Sequence, residues 1–501
     1  MIVRRMPRWI IPAILCALVV ARSLVFVAWP QSHFDSDQAV TGLMAKHLSE
    51  LRAFPVFWYG QTYMLGVEAW LAAPLMAVFG SSGTALKLPL LGMNVAITLL
   101  LFKGLTRDAG LDEARAAFAT AFFVLAAPIT AAHFLTANGG NVEPSLYILL
   151  LWFLRRHPVW FGLVLGVGFL NREFTVYGAA ALLILEAARR TLFTSQALRR
   201  YAIAFATAAA VWVGLLAIRH FSSAAGPGTT TADLSASLAG NNLLQVARRL
   251  CFDVAAIGRG VGAIFTVHWP ELFGLESQPL TDFGIESSVR QGLTGSAMLL
   301  LPVLGIPALR LTWWRASRRR GDVATDPWAC EFCAYLLLVA ALSLAGYLVG
   351  RCGVIDFYTM RYELLSVPGA VGLAGWYLRG ERSRVLRALW MMSCTVVFAL
   401  SINAHVRLLA EYAVHQPVGL KQELIRELDA RHVRYAYADF WTAYYVSFVT
   451  EERIVVASDD AVKVRTYNRE VDAHRGEAIR ISRRPCAGGQ PISPAFWSCP
   501  P

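Results

Sequence analysis

The chain has 501 residues, 56% of them hydrophobic and 16% charged, with a net charge of +12 and a mean hydropathy of +0.48. An ordinary soluble domain carries about 25% charged residues, so the composition excludes a soluble globular enzyme and indicates a polytopic α-helical membrane protein. The basic residues gather between apolar blocks, which ties the positive charge to membrane topology and gives no reason to invoke nucleic acid.

The N-terminal "MIVRRMPRWIIPAILCALVV" has the basic start and apolar core of a secretory signal. The apolar run continues to Trp29 without a small-x-small cleavage site, so it reads as an uncleaved first span. Further apolar blocks begin near Thr84, Ala114, Val142, Val159, Phe174, Tyr201, Gly292, Glu331, Tyr362 and Leu386. The expected total is about eleven spans. With a cytoplasmic N-terminus, every inner loop is basic. The loops hold Lys103, Arg107 and Arg115, then Arg155 and Arg156, then Arg189, Arg190, Arg199 and Arg200. Arg310, Arg315, Arg318, Arg319 and Arg320 follow, and then Arg379, Arg382, Arg384 and Arg387. This is the positive-inside pattern, and an odd span count leaves the C-terminus outside a cytoplasmic (inner) membrane.

Three outer segments are substantial. In the first, residues 30–83, Val40, Met44, Leu48 and Leu51 recur at helical spacing and predict an amphipathic helix along the membrane surface. "EAWLAAPLMAVFG" is short for a span and predicts a second interfacial helix. The second segment, residues 221–291, starts Gly/Ser/Thr-rich and ends with the aromatic-acidic "HWPELFGLESQPLTDFG". The third is the tail. There "LKQELIRELDARH" and "DFWTAYYVSFV" read as helices and "VRYAYA" and "RIVVAS" as strands, which predicts a small extracytoplasmic α/β domain. The division is a membrane domain over residues 1–405 and the tail domain over 406–501. Cys330 and Cys333 form a lone C-x-x-C without a second pair; Cys486 and Cys499 suit a disulfide if the tail is extracytoplasmic.

Chemistry-bearing residues concentrate in the outer segments. In "HFDSDQAVTGLMAKHL", Asp35 suits a helix N-cap, with Gln38 reaching back as in a capping box. Asp37 then sits in the first helical turn with its carboxylate free to accept a proton or face a metal ion. "FWYGQTYMLGVEAW" sets Tyr59, Gln61, Tyr63 and Glu68 in an apolar setting. An interfacial aromatic belt accounts for the Trp and Tyr but not for Gln61 and Glu68.

"SDQAVTGLMAKHL" followed by "VFWYGQTYMLGVEAWLAAPLMAVFG" resembles the bacterial membrane glycosyltransferases of the GT-C fold, relatives of the protein O-mannosyltransferases and lipid A aminoarabinose transferases. The resemblance extends to "MRYELLSVPG" and to "YADFWTAYYVSFVTEERIVVAS". In that family an acidic motif, typically Asp-Glu, follows the first span; here it is Asp37-Gln38. The resemblance implies transfer of a sugar from a polyprenyl-phosphate donor to a lipid, glycan or protein acceptor at the outer face. Asp37 would be the general base of an inverting displacement, with Asp35 second or orienting the donor or a divalent cation, the one candidate cofactor.

A phosphate leaving group needs cations near the outer face. Arg361, beside Tyr362, is a bidentate phosphate ligand or a snorkelling anchor. Arg22, in the outer third of the first span, is a ligand or a snorkelling residue. Arg172 and Glu173 line the cavity or pair with other side chains, and Glu143 contacts sugar hydroxyls or caps a span. His268, Trp269 and Glu271 are further candidates, without metal-ligand spacing. No nucleotide fingerprint is present. The rival functions are a polyprenyl-lipid flippase and a non-catalytic membrane scaffold.

Overall fold

The structure is a computed structural model, and it describes residues 7, 9–61, 64–229, 250–318, 330–351 and 357–500. Tyr63, most of the Gly/Ser/Thr-rich segment and part of the basic loop at 319–320 lie outside the described residues. The membrane part contains α1 (Ile10–Ala28), α2 (Ser36–Ser49), α3 (Val67–Phe79), α4 (Gly83–Lys103), α5 (Glu113–Val124) and α6 (Pro128–His133). Next come α7 (Glu143–Leu154), α8 (Pro158–Asn171), α9 (Thr175–Ala188), α10 (Ser195–Ile218), α11 (Val254–Ala263) and α12 (Trp269–Leu272). The last four are α13 (Leu300–Arg318), α14 (Glu331–Arg351), α15 (Ser366–Gly380) and α16 (Arg384–Val414).

Among the described residues, five helices are long and apolar enough to cross a membrane: α1, α4 with its continuation to Asp108, α10, α14 and α16. The apolar helices α3, α7, α8 and α9 are shorter. At about 1.5 Å rise per residue a 14-residue helix such as α8 or α9 reaches only about 21 Å, against a hydrocarbon core of about 30 Å. Side-chain caps begin several helices: Ser82 accepts from the Ala85 amide, Asp112 from Arg115, Thr194 from Ala197 and Ser383 from Leu386. Each cap satisfies an amide that the first turn leaves without a helical partner.

The tail after α16 holds α17 (Leu420–Ala430), β3 (Tyr435–Ala438), α18 (Phe440–Val449), β4 (Val455–Ser458), α19 (Arg465–Ala473), β5 (Ile479–Ser482), β6 (Gln490–Ser493) and β7 (Phe496–Cys499). (β1, Gln278–Pro279, and β2, Arg290–Gln291, pair antiparallel in the large loop.) The five tail strands form one sheet in the order β4-β3-β5-β7-β6. β3 is parallel to β4 and β5, and the β5–β7 and β6–β7 pairs are antiparallel. Cys486 is joined to Cys499, and Cys330 to Cys333.

The loop between α1 and α4 departs from expectation. α2 is not a helix lying on the membrane with one wetted face. Ser36 and every residue from Gln38 to His47 are buried, because α3 packs on one side and α18 of the tail domain covers the other. Phe34 stacks on Phe448 at 5.6 Å, and the Tyr445 amide donates to Ser36 Oγ at 3.3 Å. Leu51, expected on the apolar face, is 73% exposed beyond the helix end.

Candidate active site

The turn that leads into α2 is built from outside itself. Lys87 of α4 is fully buried and donates to the carbonyls of Pro30 and His33 at 3.1 and 2.8 Å. This fixes the chain where it leaves α1. Asp35 is the N-cap, its carboxylate accepting the Gln38 amide at 2.9 Å. Gln38 does not reach back to the Asp35 amide. Its side chain donates to the His33 carbonyl at 3.3 Å and accepts the Ala137 amide at 3.4 Å. Gln38 therefore binds the turn to the loop before α7 and offers no second acid.

Asp37 sits one turn-quarter along α2, partly buried. Its carboxyl is pushed up to about 6, first by burial and then by the charge of Asp35; Arg361, Lys463 and Arg172 pull the other way. These cations come from distant parts of the chain. Arg361 is in a 3-10 turn (Phe357–Glu363) before α15, with its Nη2 donating to Tyr362 Oη at 3.3 Å. Tyr362 meets the Phe174 ring edge-on at 5.9 Å. Arg172 lies 5.8 Å from the same Phe174 ring, in the turn between α8 and α9. It crosses Gly140, whose φ is +124°; a Cβ there would stand 2.5–2.8 Å from Arg172 Cγ, Cδ and Nε. Only glycine permits that approach. The Nε atoms of both Arg172 and Arg361 are buried without a hydrogen-bond partner among the described residues.

Glu68 and Glu143, both fully buried, meet behind Arg172. Burial, and then Glu143 beside it, raises the Glu68 carboxyl well above the usual carboxylate range. The Gly139 amide donates to Glu68 Oε1 at 2.7 Å. Arg172 acts on Glu68 as well as on Asp37. His33 and His133 stand edge to face at 5.9 Å beside the same group, and burial holds His33 down at about 4. Both rings are neutral at pH 7.

Several expected contributors lie elsewhere. Arg22 is buried among the helices, bonded to the Phe123 carbonyl and to Asn94 Oδ1 and placed over the Phe123 ring, so its charge serves helix packing. Tyr59 is drawn to the far end of α2, where its hydroxyl meets His47 Nδ1 at 3.1 Å. Gln61 closes a turn by donating its amide to the Trp58 carbonyl at 2.9 Å. Glu173 is exposed and is not among the charges that act on Asp37. His268 is buried against Glu363 at 2.6 Å, which anchors the turn carrying Arg361 to the segment between α11 and α13. Lys463, Lys421, His33 and His133 escaped sequence reading. His33 is part of the acidic turn itself, whereas the neighbours of Lys463, Lys421 and His133 in the chain carry no motif and only tertiary packing brings those three to the turn.

Among the described residues no three His, Cys, Asp or Glu side chains are grouped to hold a metal ion. The charges around Asp37 are one further carboxylate, Asp35, and three cations, Arg361, Lys463 and Arg172.

No family model and no curated protein matches the chain. Among solved structures it is similar to the Archaeoglobus fulgidus oligosaccharyltransferase in its apo form, with 11% identity and a TM-score of 0.48 over 95% of this chain and 70% of that one. It is similar to AglB from the same organism in complex with an inhibitory peptide and a dolichol-phosphate, with 12% identity and a TM-score of 0.49 over 94% and 69%. It also matches ArnT from Cupriavidus metallidurans bound to undecaprenyl phosphate, with 14% identity and a TM-score of 0.38 over 94% and 92%. What this chain does chemically follows from its own residues.

Proposed function

We propose that the protein transfers a sugar from a polyprenyl-phosphate-linked donor to an acceptor hydroxyl or amine at the outer face of the membrane. The observation that carries this reading is the juxtaposition of Asp37 with Arg361 and Arg172, whose buried Nε–H groups have no acceptor among the described residues. A buried donor without a partner is costly unless a ligand supplies one. Guanidinium groups match phosphate oxygens, and the surrounding apolar helices suit a lipid-borne phosphate.

The chemistry follows from the charges. The acceptor oxygen or nitrogen attacks the anomeric carbon as the carbon–oxygen bond to phosphate breaks. The bonding pair leaves on the phosphate oxygen, where the two arginines stabilise it. The acceptor's proton passes to Asp37, which is ionised at neutral pH and basic enough to take it. A single displacement inverts the anomeric centre and needs only one base carboxylate, which matches the supply: Asp35 is engaged as a helix cap. The Glu68–Glu143 pair and Phe174 hold Arg172, and Tyr362 holds Arg361.

The test is transfer by the purified protein in lipid nanodiscs from a panel of undecaprenyl-phosphate sugars, with released undecaprenyl phosphate read by mass spectrometry. Asp37→Asn is expected to lose about 100-fold or more in rate. Equal turnover by both proteins would remove Asp37 from the mechanism. Binding of undecaprenyl phosphate that Arg361→Gln leaves unchanged would remove the phosphate site.

A further inference from the structure

Lys463 lies in the loop between β4 and α19, beyond the carboxyl end of a parallel strand. That is where α/β sheets present ligand-binding residues. Its main chain is pinned, with the Lys463 and Val464 amides both donating to Tyr444 Oη at 2.6 and 3.1 Å. The side-chain stem crosses Gly60, whose φ is +73°; a Cβ at Gly60 would stand 2.7 Å from Lys463 Cδ. The ammonium then comes to 5.2 Å from the centroid of the Trp58 ring. Trp58 is keyed to the helix of the base. Its indole donates to Thr41 Oγ1 at 3.0 Å, and Thr41 donates to the Asp37 carbonyl at 3.3 Å.

Burial lowers the affinity of the Lys463 ammonium for its proton, and Asp37 is the charge that acts to restore it. No carboxylate is bonded to the ammonium among the described residues. A half-buried ammonium held in place by backbone and aromatic packing, without an ion-pair partner, is poorly compensated. It is a compact point charge with three donors, which suits a phosphate oxygen. We propose that Lys463 is a ligand of the donor phosphate, so that the tail domain completes a site which the membrane helices leave one cation short. This rests on the phosphate reading of Arg361 and Arg172. It adds that the donor head group binds at the seam between the two parts of the chain.

The test uses full-length protein in nanodiscs, with undecaprenyl phosphate as the titrated probe. Lys463→Met is expected to weaken binding about tenfold, with Lys463→Arg within about threefold of wild type. Lys463→Met is also expected to move the acid limb of the transfer rate to higher pH, because a cation that keeps Asp37 ionised has gone. A purely structural role would not shift that limb. Lys463→Met that binds the probe as wild type does, while Arg361→Gln binds it weakly, overturns the role of Lys463 and leaves the arginine site standing. Arg361→Gln binding as tightly as wild type overturns the arginine site itself. Lys463→Gln, polar and shorter, serves if the methionine disturbs folding as judged by the thermal transition, and the same outcomes decide.

Discussion

Asp35→Asn changes one charge and almost nothing else. Asparagine caps a helix about as well as aspartate, so the bond to the Gln38 amide survives and α2 keeps its start. What disappears is the negative charge that, after burial, contributes most to raising the Asp37 carboxyl from 3.8 to about 6. A shift of that size is about 3 kcal/mol of preference for the protonated form over a solvated carboxylate. In the wild type, a base with that affinity is about nine-tenths ionised at pH 7 and about one-tenth ionised at pH 5, so kcat/KM falls about tenfold between them. An ordinary aspartate would lose only about 6% over the same interval. Without Asp35 the limb moves down by about half to one pH unit, and the relative rate at pH 5 rises to between about a quarter and a half. The measurement is kcat/KM against pH for both proteins, since kcat/KM reports the free enzyme. Superimposable limbs, or a wild-type rate that is flat from pH 7 to 5, would refute the assignment of Asp37 as the base.

Three other perturbations have defined outcomes. Glu452→Gln removes the charge, and one of the two acceptor oxygens, that Lys46 Nζ at 2.8 Å, His47 Nε2 at 2.9 Å, Tyr467 Oη at 2.8 Å and Arg52 share, and is expected to cost about 3 kcal/mol in thermal unfolding followed on the intact protein. Those partners hold the Glu452 carboxyl well below the usual range, so its contribution is complete above the ordinary glutamate value of 4.5 and fades as the pH falls; the variant should lack that part of the acid sensitivity. Gly140→Ala puts a Cβ against Arg172 and strains a backbone at φ +124°, and is expected to cost about 1–3 kcal/mol and weaken undecaprenyl phosphate binding in titration. Glu68→Gln keeps a neutral group where Glu68 already carries a proton and is expected to change the unfolding midpoint little, whereas Glu68→Ala strands the Gly139 amide at a cost of about 1–3 kcal/mol.

Much of this organisation is legible in the residues because it is local. Asp35 as a cap, the apolar blocks, and the helix and strand patterns over 420–458 follow from spacing and capping alone, and each is present. β5, β6, β7 and α19 were not legible: the strands are four-residue pieces, with Ile481 and Ile492 buried at the centres of β5 and β6, and the sheet is joined to the rest of the tail by β5 pairing with β3 from far along the chain. The site splits the same way. Asp37, Arg172 and Arg361 announce themselves as charges at the ends of apolar blocks. Lys463 is one lysine in "SDDAVKVRTY", and nothing local distinguishes it.

α2 differs most from what its sequence predicts. Its sequence carries apolar residues at helical spacing and polar residues between them, which predicts one wet face. Those polar residues are instead spent at the two ends. Asp35 and Asp37 occupy the first turn, and Lys46 and His47 the last, where they engage Glu452 of the tail domain. With Glu452 ionised and His47 held neutral by burial, His47 donates from Nε2 and accepts the Tyr59 hydroxyl at Nδ1. Tyr59 is thereby engaged on the anchoring side of the first loop, away from the substrate side. A helix clamped at its C-terminal end by one domain and capped at its other end by its own loop can shift only as a unit. The position of Asp37 is therefore set jointly by both parts of the chain. Glu452→Gln should consequently raise KM and lower kcat even at temperatures where the protein stays folded. A variant that loses stability but keeps both constants would show that the clamp holds the domains together without positioning the base.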